Sequence, residues 1–598
     1  MRVPDVPVTL LSDTETQADH DPDHDDSART AAQLFDRRLH AAAARLGTGL
    51  SPISLALAYV DWAMHLATQP AQATRLALSA QQAALRSWGD TVGHEPVGNG
   101  DPRFADPLWQ SWPWRPVVNG YHAAEDWWGE ATALRGMDSH HQTLARFTAR
   151  QWLDMLAPSN FGPANPEVLK RTHERRGANL LDGAAHALDD WRARHGLKRL
   201  HAPDHPYLPG VDVAVTPGKV VYRNHLVELI QYLPLTASVE AEPVFIVPSW
   251  IMKYYILDLS PHNSFVKWLV EQGHTVFILS WRNPDESDAL LGLSDYLEQG
   301  IFDTLAAIKR LLPGQDVHAC GYCLGGTLLS IAAAALARPG GIERGEQLPV
   351  LKTVSLLAAE TDFSEPGEMG VLIDESQVTM LEDMMAERGF LSGSQMAGSF
   401  AYLHSRELVW SQKLREIWLG ERNQANDLMA WNADVTRMPA VMHSEYLRRC
   451  YLGNEIAEGR FPVEGRPVTL TDIRQPMFVV GTEKDHVSPW KSVYKIHRLT
   501  DTDICFVLTN GGHNAGIVSE PGHANRHYAM HTRSADDPVL PPNLWVASAP
   551  RTEGSWWPAW HDWLLAQGSG RTVKARTPAP GDVLCDAPGE YVHVRYLD

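Results

Sequence analysis

An α/β architecture, in which a mostly parallel sheet flanked by helices follows a mainly helical N-terminal region, is what the sequence predicts. Three observations predict it. Beyond about residue 200, short apolar runs of strand length alternate with helical stretches. Before that point, apolar residues recur at three-and-four spacing and strand signals are scarce. One of the apolar runs also ends in a glycine-flanked turn that opens directly into a helical stretch.

In chain order, residues 13–26 are acidic, with His20 and His24 interspersed and no apolar periodicity, so 1–27 reads as a solvated tail in preference to a metal site. Residues 28–204 form the helical region, with 51–66 and 75–88 its clearest periodic stretches. Its tryptophans (Trp109, Trp112, Trp114, Trp127, Trp128) fit either a helical surface that meets another apolar surface or rings packed inside the region. Residues 205–570 hold the strand-like runs 243–247, 275–279, 316–320, 354–358, 476–480 and 504–508. The interval between the fourth and fifth is far too long for one crossover. Its helical stretches, 380–388, 402–416 and 439–451, imply an inserted helical cap over the carboxyl ends of the strands, about 361–455. Residues 571–598 read as a C-terminal tail.

Composition narrows the function. Hydrophobic residues are 44% and charged residues 21% of the 598, which excludes wholesale disorder and fibrous classes. A net charge of −20 without a basic run disfavours a nucleic-acid partner. No basic start followed by a long apolar run marks a secretory or transit peptide, so the expected location is cytoplasmic. The longest apolar stretch, 324–337, falls short of the roughly 20 residues that span a bilayer, so no transmembrane segment is expected. Five scattered cysteines suit a reducing compartment better than a disulfide framework.

The strongest local signal is Gly321-Tyr322-Cys323-Leu324-Gly325-Gly326, directly after 316–320 and before the apolar helix. It is a nucleophile elbow with sulfur in place of the usual hydroxyl. A sharp strand-to-helix turn strains the nucleophile's backbone, and the small residues Gly321 and Gly325 let neighbouring elements approach. The thiol at that position faces a helix N-terminus, whose partial positive charge favours thiolate. Cys320 next door reads as a buried structural cysteine.

Acid and base candidates follow in the order expected of an α/β-hydrolase core. Asp485 lies after 476–480 and His513 after 504–508. His513 takes the proton from Cys323 and Asp485 holds the imidazole in the right tautomer. Glu483 competes for the acid role but lies less far into the loop; His486 adjoins the acid and is placed in a supporting position. His523, His527 and His531 recur at helical i+4 spacing but lack accompanying acidic or cysteine ligands, so no metal is expected. For the oxyanion, the expected donors are the Leu324 amide and one amide of the loop 248–251, with Ile251 the candidate.

The choice of sulfur bears on the reaction. A serine would turn a thioester substrate into an oxoester, whereas a thiol exchanges one thioester for another and keeps the acyl group activated. A hydroxyl can then attack the enzyme thioester if water is excluded. That favours acyl transfer from a thioester to an alcohol over hydrolysis.

With these residues in place, the chain resembles the polyhydroxyalkanoate (poly(3-hydroxyalkanoate)) synthases, and most of all the class I enzymes that need no second subunit. The resemblance covers nearly everything after the tail. It rests on Pro158-Ser159-Asn160-Phe161, Asn165-Pro166-Glu167-Val168-Leu169, Lys253-Tyr254-Tyr255-Ile256-Leu257-Asp258-Leu259, Ser280-Trp281-Arg282-Asn283-Pro284-Asp285, the elbow, Asp485-His486-Val487-Ser488-Pro489-Trp490, the His513 loop and Gly554-Ser555-Trp556-Trp557-Pro558. It implies polymerisation of (R)-3-hydroxyacyl-CoA, short-chain substrates such as 3-hydroxybutyryl-CoA being expected. CoA is released, the growing polyester is carried on Cys323, and no cofactor is required. It further implies a homodimer on intracellular polyester granules, in company with granule-associated proteins. The sequence departs from the family pattern at Ser405-Arg406-Glu407-Leu408-Val409-Trp410, at Ser249-Trp250 and across 514–522, which bears on substrate range and rate. The competing readings are a thioesterase or other hydrolase of the same fold and a non-catalytic granule-associated scaffold.

Overall fold

The architecture was obtained as a computed structural model, which describes residues 32, 35–42, 50–89, 100–195, 197–200, 207–422 and 426–595. The acidic segment 13–26, with His20 and His24, lies outside the described residues.

Eleven strands form one sheet. In chain order they are β1 (Gly218–Arg223), β2 (Val227–Tyr232), β3 (Val244–Val247), β4 (Val276–Trp281), β5 (Val317–Tyr322), β6 (Leu351–Leu357), β7 (Met477–Thr482), β8 (Ile504–Thr509), β9 (His527–Arg533), β10 (Arg551–Glu553) and β11 (Cys585–Asp586). Across the sheet they run β10-β9-β8-β7-β6-β5-β3-β4-β2-β1-β11. The block from β4 to β8 is parallel. Those strands carry almost unbroken apolar runs because helices cover both faces of a parallel sheet, and nearly every residue in them is buried.

All six strand-like runs read from the sequence fall in this parallel block; the antiparallel margins were not anticipated. One margin corrects a reading. His527 and His531 lie on the extended strand β9, so their i+4 spacing does not stack them on a helix. The segment 571–598 supplies the edge strand β11, and the buried Lys253 ammonium donates to the Tyr591 and Val594 carbonyls.

Register positions the site. β7 and β8 pair in phase, ending at Thr482 opposite Thr509, so the loops that carry Asp485 and His513 emerge side by side. On the other flank of β5, Gly321 lies opposite Val247, which brings the elbow beside the loop 248–251.

The N-terminal region is built from α1 (Pro52–Thr68), α2 (Pro70–Gly89), α3 (Trp114–Ala131), α4 (Ser139–Met155), α5 (Pro166–Glu174) and α6 (Ala178–Arg194). Among its tryptophans, Trp109 is fully buried and donates to Glu167 (2.7 Å), Trp127 donates to the Leu76 carbonyl (2.8 Å) and Trp114 to the Ala164 carbonyl (2.8 Å). Internal packing therefore explains most of the cluster; Trp112 alone of the five is strongly exposed.

After the elbow helix α7 (Leu324–Ala337), the interval between β6 and β7 folds as a helical insertion that includes α8 (Glu375–Met385) and α9 (Gly393–Leu403). The helical region is bolted to this insertion. Leu144 and Phe147 of α4 share a small core with Val371 and Leu403. Asp154, buried, accepts from Arg103 (3.0 Å) and from Arg406 of the insertion (2.7 Å). His140 pairs with Asp374 at 3.1 Å, and Asn179 donates to the Trp418 carbonyl at 2.8 Å. Asp101, His122 and Glu125 lie close enough together to share a cation, but Arg103 already answers Asp101, and Arg406 answers Glu125.

Candidate active site

Cys323 stands between β5 and α7 with φ +52° and ψ −127°. A non-glycine residue there is strained by about 1–3 kcal/mol, which the surrounding structure must hold in place. Two glycines allow it. A β-carbon at Gly321 would lie 2.3 Å from the Gly326 Cα, and one at Gly325 would lie 2.1 Å from the Val247 carbonyl oxygen. The Cys323 amide donates to the Leu357 carbonyl of β6 (2.9 Å), which pins the turn across two strands. The sulfur-bearing residue is 6% exposed, so a reaction there proceeds away from bulk water.

His513 faces both partners. Its Nδ1 lies 2.8 Å from Asp485 Oδ2, and its ring is within electrostatic reach of Cys323. Burial opposes a charge on the ring, but the Asp485 carboxylate and the sulfur beside it win, holding the imidazole well above its ordinary value. Asp485 is fixed from behind. Its Oδ1 accepts from the Val487 (2.9 Å) and Ser488 (2.8 Å) amides, and its Oδ2 accepts from Thr482 Oγ1 (3.0 Å). Burial raises the carboxyl, yet His513 and these amides outweigh it and leave it below the usual carboxylate range. The Tyr322 ring lies 5.7 Å from that of His513, and its hydroxyl donates to Asn514 (2.6 Å), bracing the loop from the nucleophile side.

The other expected residues are placed as follows. Leu324 opens α7, where the first N–H groups have no partner within the helix. Ile251 sits in the loop beside Gly325, and its carbonyl accepts from the Thr436 amide of the insertion (3.2 Å). His486 lies against His404 of the insertion, ring centroids 5.4 Å apart, not against His513. Glu483 faces His527 at 3.8 Å. Cys320 is fully enclosed, and burial pushes its thiol up.

The insertion supplies residues that sequence reasoning did not single out. Tyr446 donates to Tyr451 (3.2 Å), Phe363 packs on Tyr451, and both tyrosines lie within electrostatic reach of Cys323. Glu360, just past β6, joins them. A Cys–His–Asp array of this kind, buried from bulk water, can transfer a proton from sulfur to nitrogen, attack an acyl carbonyl and hold the acyl group out of water.

A parallel sheet with a cysteine at the elbow and acid and histidine on successive strand ends defines an α/β-hydrolase-fold protein. Residues 242–520 match the family model described as alpha/beta hydrolase fold. Residues 100–269 match the N-terminus of poly-beta-hydroxybutyrate polymerase (PhaC), and residues 30–72 a second N-terminal model of that polymerase. The chain is 39% identical over 500 residues to a poly(3-hydroxyalkanoate) polymerase of Methylorubrum extorquens, covering 83% of this chain and 81% of the relative. It is 36% identical to a polymerase subunit of Rhizobium meliloti, covering 85% and 82%, and 34% identical to one of Cupriavidus necator, covering 83% of each. The chain belongs to the poly(3-hydroxyalkanoate) polymerase family, a family of acyltransferases. No helix among the described residues is long and apolar enough to cross a membrane.

Proposed function

We propose that this chain polymerises (R)-3-hydroxyacyl-CoA, with short acyl groups such as 3-hydroxybutyryl preferred, through a thioester on Cys323. The observation that carries the reading is His513, held by Asp485 at 2.8 Å and within electrostatic reach of the buried Cys323 on its strained elbow. Cys323 passes its proton to His513 and the thiolate attacks the substrate thioester carbonyl. The oxyanion is met by the Leu324 amide and an amide of the 248–251 loop, with Ile251 the candidate. Collapse breaks the bond to the CoA sulfur, which takes the proton from His513 and departs as CoA. A hydroxyl of a further hydroxyacyl group then gives its proton to His513 and attacks the enzyme thioester. An ester forms, and the Cys323 sulfur leaves and recovers the proton.

Asp485 holds Nδ1 throughout, leaving Nε2 for these transfers. The buried position of Cys323 supports transfer to a hydroxyl over hydrolysis. The same reading places the protein in the cytoplasm as a class I homodimer on polyester granules, alongside granule-associated proteins.

Incubation with 3-hydroxybutyryl-CoA tests it. CoA release with long insoluble polyester is expected, and Cys323→Ala is expected to lower release by about 10³-fold or more. Free hydroxy acid without polymer, or undiminished release by the variant, would overturn the reading.

A further inference from the structure

Glu360 is the least expected side chain near the sulfur. It is 3% exposed, its Oε1 has no hydrogen-bond partner, and it lies in electrostatic contact with Cys323, Asp485 and His513. Its backbone is fixed: its carbonyl accepts from Thr327 Oγ1 of α7 at 2.7 Å, and the preceding Ala359 packs on the elbow glycine Gly326. Buried polar atoms find partners, and one left without is destabilising unless a ligand completes it.

The sheet order says which part of a ligand. β5, which carries Cys323, lies between β3 and β6. The loop after β3 is the oxyanion side. β6 separates β5 from β7 and β8, whose ends carry Asp485 and His513. Glu360, at the end of β6, therefore stands on the side from which a hydroxyl must approach if it is to reach both His513 and an acyl group on Cys323.

We propose that Glu360 binds the oxygen of the incoming 3-hydroxyacyl hydroxyl and holds it between Cys323 and His513. The hydroxyl spends its own O–H on His513, so Glu360 must be the donor, which an uncharged carboxyl can be and a carboxylate cannot. The surroundings supply that form: burial, then the negative charge of Asp485, which persists when Cys323 is acylated, push the Glu360 carboxyl well above the usual carboxylate range, against the smaller pull of His513 and Lys495. Tyr451 faces the same group from the insertion. The inference rests on the Cys323 reading, because the bound hydroxyl is the one that attacks the Cys323 thioester.

The test follows CoA release from 3-hydroxybutyryl-CoA by rapid quench in the full-length protein, together with intact-mass mapping of the adduct. In Glu360→Leu, the first acylation of Cys323 is expected at the wild-type rate, while steady elongation falls at least about tenfold. Glu360→Gln, which keeps a donor, is expected to elongate within about threefold of wild type. The thermal midpoint of Glu360→Leu should equal or exceed that of wild type, since an unpaired polar group has been removed. Elongation by Glu360→Leu within about threefold of wild type, equal loss of acylation and elongation, or loss of fold in both variants would each overturn the assignment. An adduct mapped away from Cys323 in the wild type would instead defeat the underlying reading.

Discussion

His513 concentrates the chemistry of the site in one ring, and its titration is linked to stability. Its folded-state value is raised above the ordinary imidazole value of about 6.5. The protonated ring therefore contributes stability in full below that value, and the contribution is lost as pH rises through the elevated one. Wild type should accordingly melt above His513→Gln by the widest margin in mildly acidic buffer, with the gap closing as the solution is made alkaline. Thermal scans across pH decide it, and a gap that widens with pH would contradict the sign. The same variant should lose about 10³-fold or more in CoA release.

At this scale the sequence was informative where constraint is local. The elbow declares itself because Gly321, Cys323 and Gly325 sit within one turn, and Asp485 and His513 because each closely follows an apolar run. Glu360 has no such signature: it follows a strand as any loop carboxylate does, and only its enclosure with an unpartnered oxygen sets it apart.

Among elements, the six parallel strands were legible from their apolar runs, whereas the antiparallel margins were not. β9 carries two histidines and an arginine, and β10 is fully exposed, so neither shows the pattern of a buried strand. The brace between α4 and the insertion was equally hidden, because Asp154 and Arg406 lie 252 positions apart and leave no periodicity. Its energetics are testable. Asp154 is 1% exposed and pairs with Arg103, Arg406 and Arg150; Asp154→Asn removes that shared charge while Asp101 and Glu125 still answer Arg103 and Arg406, and should cost about 1–3 kcal/mol in denaturant unfolding. A loss below about 1 kcal/mol would show that the network behaves like a solvated surface pair.

Over the whole molecule, the helical region and the catalytic half are joined through the insertion and not merely in sequence. Hydrogen exchange should report this coupling. In Asp154→Asn, amides of α9 and the following turns through Trp418 should exchange faster while those of β5 to β8 keep their protection. Uniform acceleration across the chain would mean that the two halves unfold as one unit. Because the insertion is fastened from outside by α4 and α6, it is one end of a lever whose other arm is the helical region. Tethering α4 to a bulky body, by an engineered crosslink for instance, would then change turnover from a distance, without any part of the tether reaching Cys323.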